Sequence, residues 1–595
     1  MKPQSIDLAA GFAPPDMSAW NDAVVKVLRG RDFESVLVSE TRDGLDIQPL
    51  YVADSASPAL DGAVVADSGR VQHGWDVRQA HGGADAARCN REILGDLRGG
   101  VTSIELLVPS DSSDGYMVSA LAGVDLAVAP VALSPHSSIE QARELMALIG
   151  ESGAGHLLGL DPLGGVTRGE RIDAVPDTLR ASAELAAEVA GRGWRVFTVD
   201  TTRHADAGAT EAQQLSVSMS TAVAYLRECE SVGLEPAIAA GLIGFRFGAS
   251  ADQFLTIAML RAARAVWARI LESCGVPESG RVQSQQAVTS AAMYSRRDPW
   301  VNMLRATTAT MAAGVGGADS ITVLPFDTAL GQSNSLGRRA ARNTQLLLIE
   351  ESHVARMVDP AAGSWFIESL TSRLAEMAWS GFQLIESHSG MEAVLRDGSL
   401  EAEIWSAWTA RLDGLASRRE PITGVSEFPD LDETVLDRPQ ATDPVGWPIR
   451  RLAQPFEDLR DESDRRLVAD GHRPRVHLAT LGDQADHAAR TTWTTNLLAV
   501  GGIEAVGGAG DGAHSAEEVA VRFVESGCSA AAICSSDSTY SLAAVAAAEA
   551  LVNAGASLVS IAGDPGELRA DLTSAGVQQF WYPGLNLPQS LSQVL

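Results

Sequence analysis

Lysine is almost missing. Lys2 and Lys26 are the only two in a chain of 595 residues, and arginine carries the rest of the positive charge. Beyond residue 26 no lysine exists to form a Schiff base or to complete a Walker-type phosphate loop. Positive charge is short overall, with 46 Lys and Arg against 76 Asp and Glu, a net charge of −30. Nucleic acid and anionic membrane surfaces are therefore poor partners. Cys89, Cys229, Cys274, Cys528 and Cys534 are scattered without a CxxC pair, so neither a disulfide framework nor a zinc site is expected and a reducing cytoplasm fits best. No apolar run of ~18 residues exists to span a bilayer. The N-terminal stretch lacks a charged region followed by an apolar core, so no signal peptide is expected. What is present is ordinary globular composition, 45% hydrophobic and 21% charged, in a chain long enough for several domains.

Residues 1–45 read as an arm. A proline-bearing coil, Ala13-Pro14-Pro15-Asp16, precedes a helical pattern from Trp20 through Val24, Val25 and Leu28 to Gly30. Such an apolar stripe either lies on its own domain or clasps a second subunit. Residues 46–415 alternate short apolar runs with amphipathic stretches. The candidate strands are Ser103–Val108, Leu126–Leu133, His156–Leu160, Arg195–Val199, Ile243–Phe247, Val282–Ala287, Ile321–Pro325 and Val354–Val358. Eight strand–helix units in ~270 residues are the arithmetic of a (β/α)8 TIM barrel. Asp161, Asp200, Asp327 and Asp359 follow strand ends, where barrel enzymes place their chemistry and where helix N-caps also fall. Residues 416–470 turn acidic and proline-rich, with Trp447, Leu452 and Phe456 spaced like the anchors of a linker strap laid over a surface. From residue 471 to 595 a second alternation, RVHLATLG, IEAVGG, AAICSS, SLVSIAG and QQFWYPG, predicts a doubly wound, flavodoxin-like domain.

Few side chains assemble a recognisable chemistry. The glycine-rich turn from Gly507 to Gly512 follows the second strand of its domain, whereas a dinucleotide fingerprint follows the first, so a flexible loop is expected there. The first turn of that domain, Leu481 to His487, is where a flavodoxin-like fold holds a ligand, and a carboxylate beside His487 there suits a metal–His–Asp relay or a helix cap. In the barrel, Trp75-Asp76-Val77-Arg78-Gln79 is expected to precede the first strand, with Arg78 in reach of an anionic ligand at the mouth. Arg203 and His204 are expected just past the fourth strand, although a guanidinium is a poor proton carrier. No Ser/His/Asp set, zinc cluster or carboxylate pair stands out.

Four stretches carry a resemblance: WDVRQ at 75–79, DPWVNMLRATTATMAAGVGGADSITVLPFD at 298–327, ARNTQLLLIEES at 341–352 and DPAAGSWFIESLTSRLAEMAW at 359–379. From about residue 45 onward the chain resembles the methylmalonyl-CoA mutase family, adenosylcobalamin-dependent acyl-CoA mutases. The resemblance implies a substrate-threaded barrel and a cobalamin-binding-type flavodoxin-like domain. Catalytic members carry Asp-x-His-x-x-Gly after the first strand of the latter, the histidine being the lower cobalt ligand. Here Gln484, Ala485 and Asp486 stand where aspartate, glycine and histidine belong, and His487 lies one residue late. A carboxylate does not replace imidazole nitrogen at cobalt. A tyrosine that packs between substrate and corrin in catalytic members is Ala80 here, followed by His81, and the active-site histidine aligns with Arg203.

The losses at metal, tyrosine and histidine make the chain resemble the noncatalytic small (beta) subunit of the heterodimeric members. The resemblance implies a homologous large (alpha) subunit that binds adenosylcobalamin and acyl-CoA. That subunit interconverts (R)-methylmalonyl-CoA and succinyl-CoA by a radical 1,2-rearrangement. On this chain no catalytic residue, cofactor ligand or metal ligand is then expected. Two alternatives remain: a self-sufficient mutase with His487 as cobalt ligand, and a scaffold unrelated to turnover.

Overall fold

A computed structural model describes the chain apart from residues 1–15, 54–59, 63–69, 110, 111, 113, 114, 136, 151–154 and 441–444. The proline-bearing coil at 13–15 lies outside the described residues. Eight parallel strands close a barrel: β1 (Asp76–Gly82), β2 (Ser103–Leu107), β3 (Val131–Leu133), β4 (Leu157–Leu160), β5 (Arg195–Asp200), β6 (Ile243–Ala249), β7 (Ser284–Thr289) and β8 (Ser320–Thr322). Pairing of Ser320, Ile321 and Thr322 with Asp76, Val77 and Arg78 seals it.

The first strand is therefore WDVRQ itself, and Val354–Val358 is not a strand, Val354–Arg356 being a 3-10 turn. Arg203 and His204 consequently follow the fifth strand and not the fourth. The physical reason is polarity on both faces of the first strand, Asp76 and Arg78 toward the lumen and His81 toward Asp96 of the following helix. Asp76, Arg78 and His81 break the apolar pattern expected of a strand, while Val354–Val358 imitates one.

A helix follows each strand. Several begin at caps their sequence supplies. Asp85 accepts from the Ala87 and Arg88 amides to start α2 (Ala86–Arg98), and α1 is the arm helix Met17–Leu28. Capping boxes open α3 (Ile139–Ile149) at Ser138 and Gln141, and α5 (Glu211–Ser231) at Thr210 and Gln213. Between them lies α4 (Val175–Val189), with α6 (Gln253–Ser273), α7 (Val301–Gly316) and α8 (Ser335–Leu346) completing the ring. Outside it, α9 (Trp365–Ser387) packs across α5 and α6.

In α6, Arg261 is fully buried and pairs with Asp359 and with Glu368 of α9, at 2.7 Å to the latter. Asp359, expected at a strand end, instead clamps the outer helices.

The strap is only partly coil, for Gln454–Asp470 forms a helix, α10, opened by Pro455 in its first turn. Beyond it, β9 (Arg475–Thr480), β10 (Glu504–Gly507), β11 (Ala530–Cys534), β12 (Leu558–Ala562) and β13 (Gln579–Trp581) form a parallel sheet in the order β10-β9-β11-β12-β13. This 2-1-3-4-5 order is the flavodoxin-like one. Every residue of the central β11 is buried, as expected of a strand covered on both faces. Helices α11 (Gln484–Val500), α12 (Ala516–Ser526) and α13 (Asp537–Asn553) connect its strands. No helix among the described residues is long and apolar enough to cross a membrane.

Replacing Arg261 with Met strands two buried carboxylates. The expected loss is about 3–5 kcal/mol, read as a fall in the urea midpoint. A loss below about 1 kcal/mol, the range of an exposed pair, contradicts the assignment.

Candidate functional site: the barrel mouth and the first C-terminal turn

Register fixes what faces the lumen. Ala80 pairs with Glu105 and Asp200 with Arg246, and paired residues of parallel strands point to the same side. Glu105 of β2 reaches right across the barrel to Arg246 of β6, Nη2 to Oε1 at 2.8 Å. Arg246 Nη1 lies 3.3 Å from Asp200 Oδ2, and Arg168 Nη1 lies 3.5 Å from the same oxygen. Arg168 Nη2 donates to Asp161 Oδ2 at 3.0 Å, and the Tyr225 hydroxyl donates to Asp161 Oδ1 at 2.6 Å. Gln286 Nε2 donates to Glu105 Oε2 at 3.2 Å from β7.

Two guanidiniums and three carboxylates thus form one ladder through the upper barrel, all of them buried or nearly so. Burial pushes Asp161 up to about 6 against the pull of Arg168. Burial acts the same way on Asp200, but Arg246 and Arg168 together outweigh it and bring the group down to about 2.

Ala80 leaves only a methyl on its rung. Arg78 does not reach the mouth. Its Nε donates to Ser103 Oγ and its Nη2 pairs with Asp76 at 2.9 Å, near the opposite end where β1 begins.

The strap closes the mouth from outside. The Trp447 amide donates to the Thr167 carbonyl at 2.7 Å, and the Arg450 amide to that of Asp206 at 2.8 Å. The Leu452 amide donates to Ala292, and Arg438 pairs with buried Asp327 at 2.6 Å. Contact is close enough to require glycine: Gly446 has φ +91°, and a Cβ there would sit 2.3 Å from the Thr167 oxygen. Arg203 Nη1 donates to the Trp447 carbonyl at 3.3 Å, so it serves the strap. His204 is buried edge-on against the Trp447 ring, 5.2 Å between centroids. Neither of its ring nitrogens has a hydrogen-bond partner of good geometry among the described residues.

In the C-terminal domain the first turn enters α11 at once. Asp483 is its cap, and the Asp483 amide donates to Asp486 Oδ2 at 3.2 Å. Gln484 and Ala485 lie exposed on the first helical turn. His487 is fully buried, its Nδ1 at 3.2 Å from Thr491 Oγ1 and its Nε2 at 3.1 Å from the Gly510 carbonyl. Both nitrogens are engaged within the protein, and no metal approaches either without breaking those contacts. The residues present do not fit a cobalt ligand set, and no group of three or more His, Cys, Asp or Glu able to hold a metal occurs among the described residues.

The glycine turn is pinned, not free. Gly512 donates to the Gly482 carbonyl and Ala513 to that of Thr480, each at 2.8 Å, and a Cβ on Gly512 would fall 2.7 Å from the Thr480 carbonyl.

The methylmalonyl-CoA mutase family model matches residues 166–486. The small subunit of methylmalonyl-CoA mutase from Streptomyces virginiae is 45% identical over 94% of each chain. The corresponding small subunit from Propionibacterium freudenreichii subsp. shermanii is 33% identical, covering 100% of this chain and 97% of that one. The chain belongs to the methylmalonyl-CoA mutase family. Within that family its likeness is uneven. A protein named methylmalonyl-CoA mutase from Rhizobium meliloti is 33% identical over only 39% of this chain and 33% of its own length.

Of the mutase-family positions singled out in the sequence, the fold brings Ala80 and Arg203 to the upper barrel. Gln484, Ala485, Asp486 and His487 stand apart on α11. Sequence reasoning missed Glu105, Arg168 and Arg246. For Glu105 and Arg246 the signal was a charge inside an apolar strand, as in SIELL and GFRFG, whereas Arg168 ends the short helix Pro162–Thr167 and carried none.

Burial lowers His204 from its ordinary 6.5 to about 4. The unfolded chain takes up that proton near 6.5 and the folded chain only near 4, so stability falls as pH drops through this window. His204→Phe keeps a ring against Trp447 and is expected to flatten the calorimetric Tm against pH between 4 and 6.5. An unchanged slope would reject His204 as the source.

Proposed function

We propose that this chain is the noncatalytic small subunit of an adenosylcobalamin-dependent methylmalonyl-CoA mutase. A homologous large subunit then carries the cofactor and interconverts (R)-methylmalonyl-CoA and succinyl-CoA by a radical 1,2-rearrangement. The lumen ladder carries this reading: the space a threaded acyl-CoA needs is crossed by the Glu105–Arg246 pair at 2.8 Å. The engagement of both His487 nitrogens supports it from the other domain. The names of the full-length relatives point to a large-subunit partner.

The arm helix α1 supplies the means of docking. Val25 and Val27 are 68% and 70% exposed on it, while Trp20 packs edge-on against Phe33 at 6.3 Å. Apolar side chains left in water on a capped helix gain by burial against a partner.

The decisive experiment purifies the chain alone and with the large subunit, then measures corrin absorbance and succinyl-CoA formation. The lone chain is expected to retain no corrin and to turn over no substrate, and the pair to do both. The double variant Val25→Ser/Val27→Ser should weaken assembly about tenfold or more, given ~1.5–3 kcal/mol per buried aliphatic side chain. Turnover by the lone chain, or corrin retention abolished by His487→Ala, overturns the assignment.

A further inference from the structure

A concentration of positive charge in this acidic protein lies away from the lumen, in the groove between α2 and α8. A cavity of about 420 Å³ opens there, lined by Arg88, Arg91, Arg338, Arg339 and Arg342. Against these five guanidiniums stand two acids, Glu92 and Asp96. Glu92 pairs with Arg338 at 3.2 Å, and Asp96 with Arg342 at 2.7 Å, the latter acid also lying 3.7 Å from Arg338. Arg88, Arg91 and Arg339 form no ion pair among the described residues.

Helical spacing explains the convergence. Arg88, Arg91 and Gly95 share one face of α2, and Ser335, Arg338, Arg339 and Arg342 share the facing side of α8. On the α2 side, a Cβ added to exposed Gly95 meets no atom within 4 Å, so the groove is open there. The side chain of Arg342 is nine-tenths buried and its Nε has no acceptor.

Like charges at three- and four-residue spacing repel each other. In a chain of net charge −30, a pocket lined by five guanidiniums and two acids, three of the guanidiniums outside any ion pair among the described residues, is a local reversal of sign. Guanidinium forks match phosphate oxygens two at a time, and a single carboxylate is too small to engage three of them. The volume lies within the range of pockets for small molecules.

We propose that the α2/α8 groove is a binding site for a small anion bearing a diphosphate, held by Arg88, Arg91 and Arg339. Arg338 and Arg342 are anchored at its wall by Glu92 and Asp96. The site is separate from the lumen and does not depend on the subunit assignment.

Titration calorimetry on the full chain at low ionic strength tests it, with inorganic pyrophosphate, ADP and inorganic phosphate as probes. Saturable binding of pyrophosphate and ADP, both tighter than phosphate, is expected, and it should weaken as salt rises. Equal affinity for the first two identifies the diphosphate alone as the recognised group, and tighter ADP identifies a nucleotide. The exposed pair Arg91→Gln/Arg339→Gln should keep the wild-type Tm and lose about tenfold or more in affinity, the equivalent of ~1.4 kcal/mol. Arg143→Gln, on α3, controls for general charge and should change nothing. No saturable binding of any probe, wild-type affinity in the double variant, or equal weakening by Arg143→Gln overturns the proposal.

Discussion

Arg168 and Arg246 hold three carboxylates inside the barrel, and the chemistry left to the barrel mouth depends on that arrangement. A lone charge in such an interior costs several kcal/mol, so each member is tolerable only while its neighbours remain. The alternation Glu105, Arg246, Asp200, Arg168, Asp161 meets that condition rung by rung. It also sorts the acids. Asp200, between two guanidiniums, stays ionised down to about 2, while Asp161, facing one, rises to about 6. A ladder built this way ties these five side chains to one another across the lumen.

The strap extends the same logic to the mouth. Its amides at Trp447, Arg450 and Leu452 satisfy carbonyls at the ends of three different barrel loops, and its Arg438 neutralises Asp327. Buried backbone oxygens need such partners. Removing the strap would therefore expose unpaired groups as well as Trp447. His204, packed against that indole and held neutral by burial, belongs to this seal. The barrel is thus closed by paired charge within and by backbone hydrogen bonds above.

In the C-terminal domain, helix formation does what charge pairing does in the barrel. Once Asp483 caps α11, residues 484–487 are committed to its first turn, and His487 faces inward to Thr491 and Gly510. A ligand loop needs its imidazole presented outward. Here it holds the glycine turn from 507 to 512 against the sheet, and Gly512 is small enough to let the two loops meet.

Most of the architecture was legible in the sequence. The five apolar runs of the C-terminal domain became five strands, α12 spans Ala516–Ser526 as its pattern predicts, and seven of the eight barrel strands overlap their predicted runs. Local periodicity and capping are short-range properties, set by neighbouring residues along the chain. The errors fell where long-range pairing decides. Asp76–Gly82 is a strand because Thr322 and Ser103 flank Arg78 in the closed barrel, and nothing within seven residues announces that. The positions Ala80, Arg203 and Gln484 to His487 stood out only by resemblance to the family. Their surroundings did not, because Glu105 and Arg246 are 141 residues apart and meet only across the lumen. By itself the sequence determined the two fold types, since strand and helix periodicities are written in order along the chain. Only the tertiary structure decided what crosses the barrel lumen, because charge neutralisation in a buried interior depends on which distant side chains share it.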